Sequence, residues 1–222
     1  MVKENRMNQT VSRDTVKQRY PLHYRIAKRV FDLVSSAIAL VLVSPVMLLI
    51  CLLIKLDSKG PAMFVHERYG KDGKPLRMLK FRTMYENAQD MIAEFTPEQR
   101  IEWESNFKLA DDPRITKVGK ILRKTSLDEL PQLINILRGD MSVVGPRPII
   151  TEELEMYGER KEKFLSAAPG LTGYWQAYAR SDCSYEQRMK MELHYVDNAN
   201  FWWDMKIIIV TFFAVIRGKG AR

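Results

Sequence analysis

The densest run of chemically capable side chains lies between Asp111 and Pro148. It reads Asp111-Asp112-Pro113-Arg114, then Arg123-Lys124-Thr125-Ser126-Leu127-Asp128-Glu129-Leu130-Pro131-Gln132, then Gly145-Pro146-Arg147-Pro148. Asp128 and Glu129 form its centre. Proline is tolerated in a helix only where its missing N–H would have been unpaired, so Pro131 predicts the start of a helix, with the dyad at its N-terminus. Free backbone N–H groups and partial positive charge there suit a phosphate, and Arg123 and Lys124 lie a turn upstream. Neighbouring carboxylates on a helix start point roughly 100° apart, too far to share one proton. Separate roles follow. One can attack phosphorus as a nucleophile while the other holds a divalent cation, and Mg2+ fits because phosphates complete its shell. Ser126-Leu127-Asp128-Glu129 also matches the capping box S-x-x-E, a purely structural device, although Pro131 would then fall one residue too deep.

Gly145-Pro146-Arg147-Pro148 is a rigid turn that presents one guanidinium, suited to a phosphate or a base edge; a loop-stiffening turn reads the same way. Gly170 to Arg180 brings together flexible backbone, three aromatics, the amide of Gln176 and the cation of Arg180. Such a segment can hold a nucleoside by stacking and hydrogen bonding, and a buried aromatic strand-turn would look alike. His23, His66 and His194 are too scattered to nominate a base or a metal site and read as structural. Two cysteines, Cys51 and Cys183, suggest neither a disulfide framework nor zinc.

The elements that must position these residues begin with an apolar run. Leu33 to Ile54 carries no charge, and about 22 helical residues reach about 33 Å, enough for a bilayer core. Ser44-Pro45 interrupts it midway, and proline predicts a kink there. Halves of about 16 Å reach only mid-bilayer, a length that suits a hairpin dipping in and returning. Both flanks are basic, with Lys17, Arg19, Arg25, Lys28 and Arg29 before the run and Lys55, Lys59, Arg68, Lys71, Lys74, Arg77 and Lys80 after it. That pattern places both ends on the cytoplasmic side, whereas a kinked spanning helix is the alternative. Asp32 is expected to pair with Arg29 or to cap the helix start. Near the C-terminus, Phe201-Trp202-Trp203-Asp204 leads into an uncharged stretch from Ile207 to Ile216, too short to span; it reads as an interfacial helix or a core helix.

Between these segments, Gly60-Pro61, Gly70 and Asp72-Gly73 punctuate β-favouring pieces and predict a small hairpin, followed by Lys80-Phe81-Arg82-Thr83-Met84. Glu86 to Glu104 reads as water-facing helical pieces broken at Thr96-Pro97. The fold class expected is α+β and mainly helical, in four segments. They are an N-terminal basic arm over 1–24, a re-entrant membrane helical hairpin over 25–56, a cytoplasmic catalytic domain over 57–200, and a C-terminal interfacial helix with basic tail over 201–222. With 222 residues the chain supports one cored domain plus an anchor, and a net charge of +8 favours anionic partners. The polar first 29 residues and the length of the apolar run argue against a cleaved signal peptide.

Taken in order, these motifs resemble the bacterial sugar transferases, the monotopic polyprenyl-phosphate phosphoglycosyl transferases, in their small form. The match covers about residues 25 to 216. It runs through Lys28-Arg29-Val30-Phe31-Asp32, Ser44-Pro45, Lys80-Phe81-Arg82-Thr83-Met84, Asp112-Pro113-Arg114-Ile115-Thr116, Ser126 to Gln132 and Asp140 to Pro148. The resemblance implies a re-entrant helix broken at Ser44 and Pro45, in the bacterial inner (cytoplasmic) membrane with the catalytic domain on the cytoplasmic face. It implies a ping-pong reaction in which Asp128 attacks the β-phosphate of a UDP-sugar, UMP leaves, and polyprenyl (undecaprenyl) phosphate takes the phospho-sugar. This would be the first membrane step of exopolysaccharide, O-antigen or glycoconjugate synthesis. Glu129 would bind Mg2+, Arg123 would contact phosphate, and Pro146, Arg147 and Pro148 would hold the nucleotide. Lys80, Arg82, Gln176 and Arg180 would line the same cleft. Ala179 departs from the glycine that family members often carry there. Membrane lipids are further partners, a homodimer stays open, and nucleic acid is not expected. Two other readings compete: a lipid-pyrophosphate hydrolase using water, and a non-enzymatic basic membrane adaptor.

Overall fold

A computed structural model of the chain describes residues 20–106, 109, 111–179 and 183–216. The arm before Tyr20, Arg180 of the aromatic segment and the basic tail after Ile216 lie outside the described residues. In chain order the elements are α1 (Leu22–Asp57), β1 (Met63–Tyr69), β2 (Pro75–Phe81), α2 (Pro97–Asn106), α3 (Lys117–Thr125), α4 (Gln132–Arg138), β3 (Ser142–Val144), α5 (Thr151–Glu155), α6 (Lys161–Leu165), β4 (Gly170–Thr172), α7 (Tyr174–Tyr178), α8 (Tyr185–Asn198) and α9 (Phe201–Ile216). The mainly helical α+β class expected from the sequence is what forms.

α1 is long and apolar enough to cross a membrane, and only 11% of its most apolar stretch is buried. Val41, Leu42, Leu48 and Leu56 are each more than 70% exposed. A soluble core helix would bury such side chains, each worth about 1.5–3 kcal/mol on leaving water, so α1 is built for a membrane. Its hydroxyls are satisfied internally, Ser35 donating to the Phe31 carbonyl at 2.6 Å and Ser36 to that of Asp32. The helix runs through Pro45. It also starts earlier than the apolar run suggests, at Leu22, because the polar turns ahead of Leu33 are held by side-chain contacts rather than by lipid. Asp32 therefore caps no helix start, and it does not pair with Arg29. Its Oδ1 accepts the Val143 N–H at 2.9 Å, while Arg29 donates to the carbonyls of Ile136 and Leu137 at 2.7 and 2.8 Å.

The described residues fold as two compact units, one within 20–42, 65–79 and 131–216, the other within 43–64 and 80–130. In the first, β3 and β4 pair in parallel with Ser142 opposite Gly170 and Val144 opposite Thr172. One core cluster gathers Ile149, Leu154, Tyr157, Phe164, Leu165, Met189 and Leu193. A second gathers Val144, Ala167, Ala177, Tyr195, Val196 and Ile207. α8 opens on the capping box that Ser184-x-x-Gln187 spells, with both reciprocal hydrogen bonds formed. α9 combines the two readings of its sequence. Ile207 and Asp204 are buried on one side, whereas Trp202, Ile209, Phe212 and Phe213 are exposed on the other.

In the second unit, Ile50, Ile54, Phe81 and Leu122 form the core. The expected break at Thr96-Pro97 is a helix start: Thr96 and Gln99 cap α2 reciprocally. α3 is fixed at its first turn, where Thr116 accepts the Gly119 N–H at 2.9 Å and Asp57 accepts that of Val118 at 3.0 Å. Thr116 in turn donates its N–H to the Thr83 carbonyl at 3.1 Å. Gly119 lies so close to that carbonyl that an added Cβ would overlap its oxygen. Gly119→Ala should therefore push α3 off the Thr83 segment at a cost of about 1–3 kcal/mol. The expected result is a lower melting temperature for the detergent-solubilised protein; an unchanged one would mean that α3 moves aside freely.

Candidate active site

The dyad is placed by an unusual backbone turn. α3 ends at Ser126, which adopts the left-handed conformation at φ 58° and donates its N–H to the Arg123 carbonyl. A non-glycine residue there costs about 1–2 kcal/mol, which the surrounding turn must absorb. One turn of 3-10 helix, Leu127–Glu129, follows, and α4 starts only at Gln132 with Pro131 as its N-cap. This corrects the expectation that the dyad sits in the first turn of α4. Pro131 has no N–H with which to join the two stretches into one ladder. The capping box S-x-x-E is not formed either: the Ser126 side chain makes no capping hydrogen bond, and the Glu129 carboxylate is turned elsewhere.

Lys80, at the end of β2, takes up that carboxylate. Its Nζ lies 2.8 Å from Glu129 Oε1 and 3.6 Å from Asp128 Oδ2, so one ammonium serves both acids. Asp128 is the more buried of the two, with 13% of its side chain exposed against 26%. Burial pushes the Asp128 carboxyl above the usual carboxylate range, Lys80 opposes the rise, Glu129 adds to it and Arg123 opposes it. A carboxylate stripped of water but held ionised by a neighbouring cation is a competent nucleophile. Arg123 donates from Nε to Thr83 Oγ1 at 3.0 Å. Burial lowers its guanidinium, with the charges of Asp128 and Asp112 opposing, and it stays charged at neutral pH.

Asp112 and Arg114, from the same polar run, are engaged with each other. Arg114 donates from its backbone N–H, Nε and Nη2 to the Asp112 carboxylate at 2.7–3.0 Å, and its guanidinium lies over the rings of Phe95 and Trp103. Arg82 is buried and donates to the carbonyls of Ser58 and Lys59. Among the described residues, no group of three or more His, Cys, Asp or Glu side chains converges to hold a metal. A hard cation that takes most of its shell from phosphate and water needs only one or two protein carboxylates, and Asp128 and Glu129 offer two on one turn.

The remaining predicted residues belong to the other unit. Pro146 and Pro148 are buried and Arg147 is half-buried, its guanidinium 6.0 Å from the ring centre of Trp175. Gln176 follows Trp175 on the short α7 and is half-buried. Thr83 and Glu192 went unpredicted. Thr83 stands in the quoted Lys80-to-Met84 motif but carries no signal of its own. Glu192 did carry one, since it interrupts the apolar stripe of Met189, Leu193 and Val196 on α8 with a charge.

The chain was compared with known proteins. Residues 23–218 match the model of the family described as bacterial sugar transferase. The chain is similar to the undecaprenyl-phosphate galactose phosphotransferase of Salmonella typhimurium, 46% identical over 200 residues that make up 89% of this chain and 42% of that protein. It is 45% identical over 199 residues to the exopolysaccharide production protein ExoY of Sinorhizobium fredii, covering 88% of both. With the UDP-galactose-lipid carrier transferase of Erwinia amylovora it shares 43% identity over 200 residues, 89% of this chain and 42% of the relative. The chain thus spans about two fifths of the Salmonella and Erwinia proteins and nearly all of ExoY. A match across almost its whole length makes the chain a member of the bacterial sugar transferase family.

Proposed function

We propose that the chain transfers a phospho-sugar from a UDP-sugar to undecaprenyl phosphate through a covalent aspartyl intermediate. The observation that carries this is the half-buried Asp128, raised by burial and faced by the Lys80 ammonium, in a chain whose first helix is long and apolar enough to cross a membrane. The names of the Salmonella and Erwinia relatives supply the two substrate classes, a lipid phosphate and UDP-galactose.

In the first step an Asp128 oxygen attacks the β-phosphorus. The bond from that phosphorus to the bridging oxygen breaks, and UMP leaves with the electron pair. In the second step a phosphate oxygen of the lipid attacks the same phosphorus. The acyl-phosphate bond breaks, Asp128 is restored, and the product is a lipid diphosphate carrying the sugar. Lys80 and Arg123 balance the charge of Asp128 and Glu129, so a diphosphate entering with about two further negative charges leaves the site short of positive charge. Mg2+, bound through Glu129 and the donor's own oxygens, would supply it. α1 is proposed to dip into the inner membrane and return at Ser44-Pro45. Its flanks are basic on both sides, which favours two cytoplasmic ends and a catalytic body on that face.

The test is UMP release from a panel of UDP-sugars, with Mg2+ and with or without undecaprenyl phosphate. Repeated turnover should require the lipid, with at most about one UMP released per enzyme without it, and release should fall by about three orders of magnitude or more in Asp128→Asn. A hexose-phosphate mass on the peptide containing Asp128, accumulating without acceptor, would trap the intermediate. Free sugar phosphate released without acceptor would instead favour the hydrolase, and turnover indifferent to Asp128 would remove the nucleophile assignment. Lys80→Met gives a second expectation. Without the ammonium the Asp128 carboxyl should rise further, so the acid limb of the rate profile should move to higher pH and part of the lost rate should return on raising pH. A limb that stays in place would show that Lys80 does not set the ionisation of Asp128.

A further inference from the structure

The turn Pro146-Arg147-Pro148 has a single backbone N–H, that of Arg147, because both flanking residues are proline. That N–H donates to Glu192 Oε1 at 3.2 Å. Glu192 projects from α8 and is completely buried, and its second oxygen, Oε2, has no hydrogen-bond partner. The ends of the turn are pinned by backbone bonds, Gly145 to Thr172 at 2.9 Å and Tyr69 to the Ile149 carbonyl at 3.0 Å. Within the turn the Pro146 carbonyl accepts the Gly170 N–H at 2.9 Å, and the Arg147 N–H is held by this carboxyl. Arg188, one helical turn before Glu192, donates to Glu153 at 3.0 Å, and its guanidinium lies 4.6 Å from the centre of the Trp175 ring that Arg147 also faces.

We propose that Glu192 is a positioning residue that latches the Pro146-Arg147-Pro148 turn, and through it the orientation of Arg147 toward the donor nucleotide. Its bearing on the donor rests on the transferase reading above. A wholly buried carboxyl that spends one oxygen on one N–H is a costly feature in a core, and a neutral side chain would pack the stripe of Met189, Leu193 and Val196 better. The latch also titrates. Burial raises Glu192 to about 7 against the opposing pull of Arg188 and the Arg147 N–H and charge, with Glu153 adding to the rise. Tyr157 and Tyr185, which also face it, are themselves raised by burial and remain neutral. Above about pH 7 the latch is a charge-assisted hydrogen bond; below it the carboxylic acid is a weaker acceptor.

Two measurements on the full chain in lipid nanodiscs test this. Hydrogen exchange isolates the Arg147 amide, since its neighbours have none; its protection at pH 8 should fall by about five- to tenfold at pH 6 and in Glu192→Gln at either pH. UDP-galactose binding to the non-turning-over Asp128→Asn protein should weaken by about fivefold from pH 8 to pH 6, while Asp128→Asn with Glu192→Gln stays flat at the weaker value. The pH series on the unmodified Glu192 keeps the test valid where the Gln variant does not fold. Equal Arg147 protection across pH and variants overturns the latch. So does a pH-independent UDP-galactose affinity that Glu192→Gln leaves unchanged. A responsive amide with no UDP-galactose binding at any pH would keep the latch and overturn the nucleotide-sugar reading.

Discussion

One ammonium group facing two carboxylates is the constraint around which the second unit is arranged. Asp128 and Glu129 are consecutive and partly withdrawn from water, a pairing that would drive one of them neutral without a counter-charge. Lys80 prevents this from β2, whose alternation does the positioning. Phe81 turns into the core beside Ile50, Ile54 and Leu122, which leaves Lys80 on the opposite side of the strand. Two residues on, Thr83 uses its carbonyl to hold Thr116 and its hydroxyl to hold Arg123. The same short segment thus sets a cation, a helix start and a guanidinium. The close approach at Gly119 is what lets α3 lie against it.

The first unit applies similar logic to the polar end of α1. Arg29 takes the terminal carbonyls of α4, groups that a helix end leaves without partners, and Gly139 at φ 90° lets the chain turn away beneath it. Asp32 holds β3 through the Val143 N–H. Lys28, Tyr24 and Tyr195 converge on the buried Asp204 of α9. Lys28, Arg29 and Asp32 lie on the first turns of α1, ahead of the uncharged run from Leu33 to Ile54. Protein contacts therefore hold the polar end of α1.

Much of this was legible in the sequence. The hairpin after the apolar run, and the grouping of Lys80 with Asp128, Glu129 and Arg123, follow from local chemistry and ordered motifs. What could not be read has a common cause. Ser126 in a left-handed conformation breaks the rule that serine opens helices, so the capping box was a false alternative and the dyad landed on a 3-10 turn of its own. Asp32 looked like a local cap because local partners are all that spacing can offer. Its actual partner, Val143, is set by tertiary folding. Pro146, Arg147 and Pro148 were visible as a turn, but the carboxyl that holds it comes from α8, and only its place in an apolar stripe hinted at a role.

The contrast between two carboxylate sites bears on the role proposed for Asp128. Asp112 and Asp128 both belong to the polar run that first drew attention, and both lie near arginine. Around Asp112, burial works to raise the carboxyl, yet the three N–H donors of Arg114 outweigh it and the group titrates below its usual range. Arg114 is itself packed over Phe95 and Trp103. Such a carboxylate has its lone pairs spent on fixed hydrogen bonds, and attacking phosphorus would mean giving them up. Asp128 has a longer contact of 3.6 Å to Lys80, which is held more closely by Glu129. Burial prevails there and the carboxyl is raised. The fold has thus left Asp128 poorly solvated and lightly held, so that the attack proposed for it would give up few fixed hydrogen bonds.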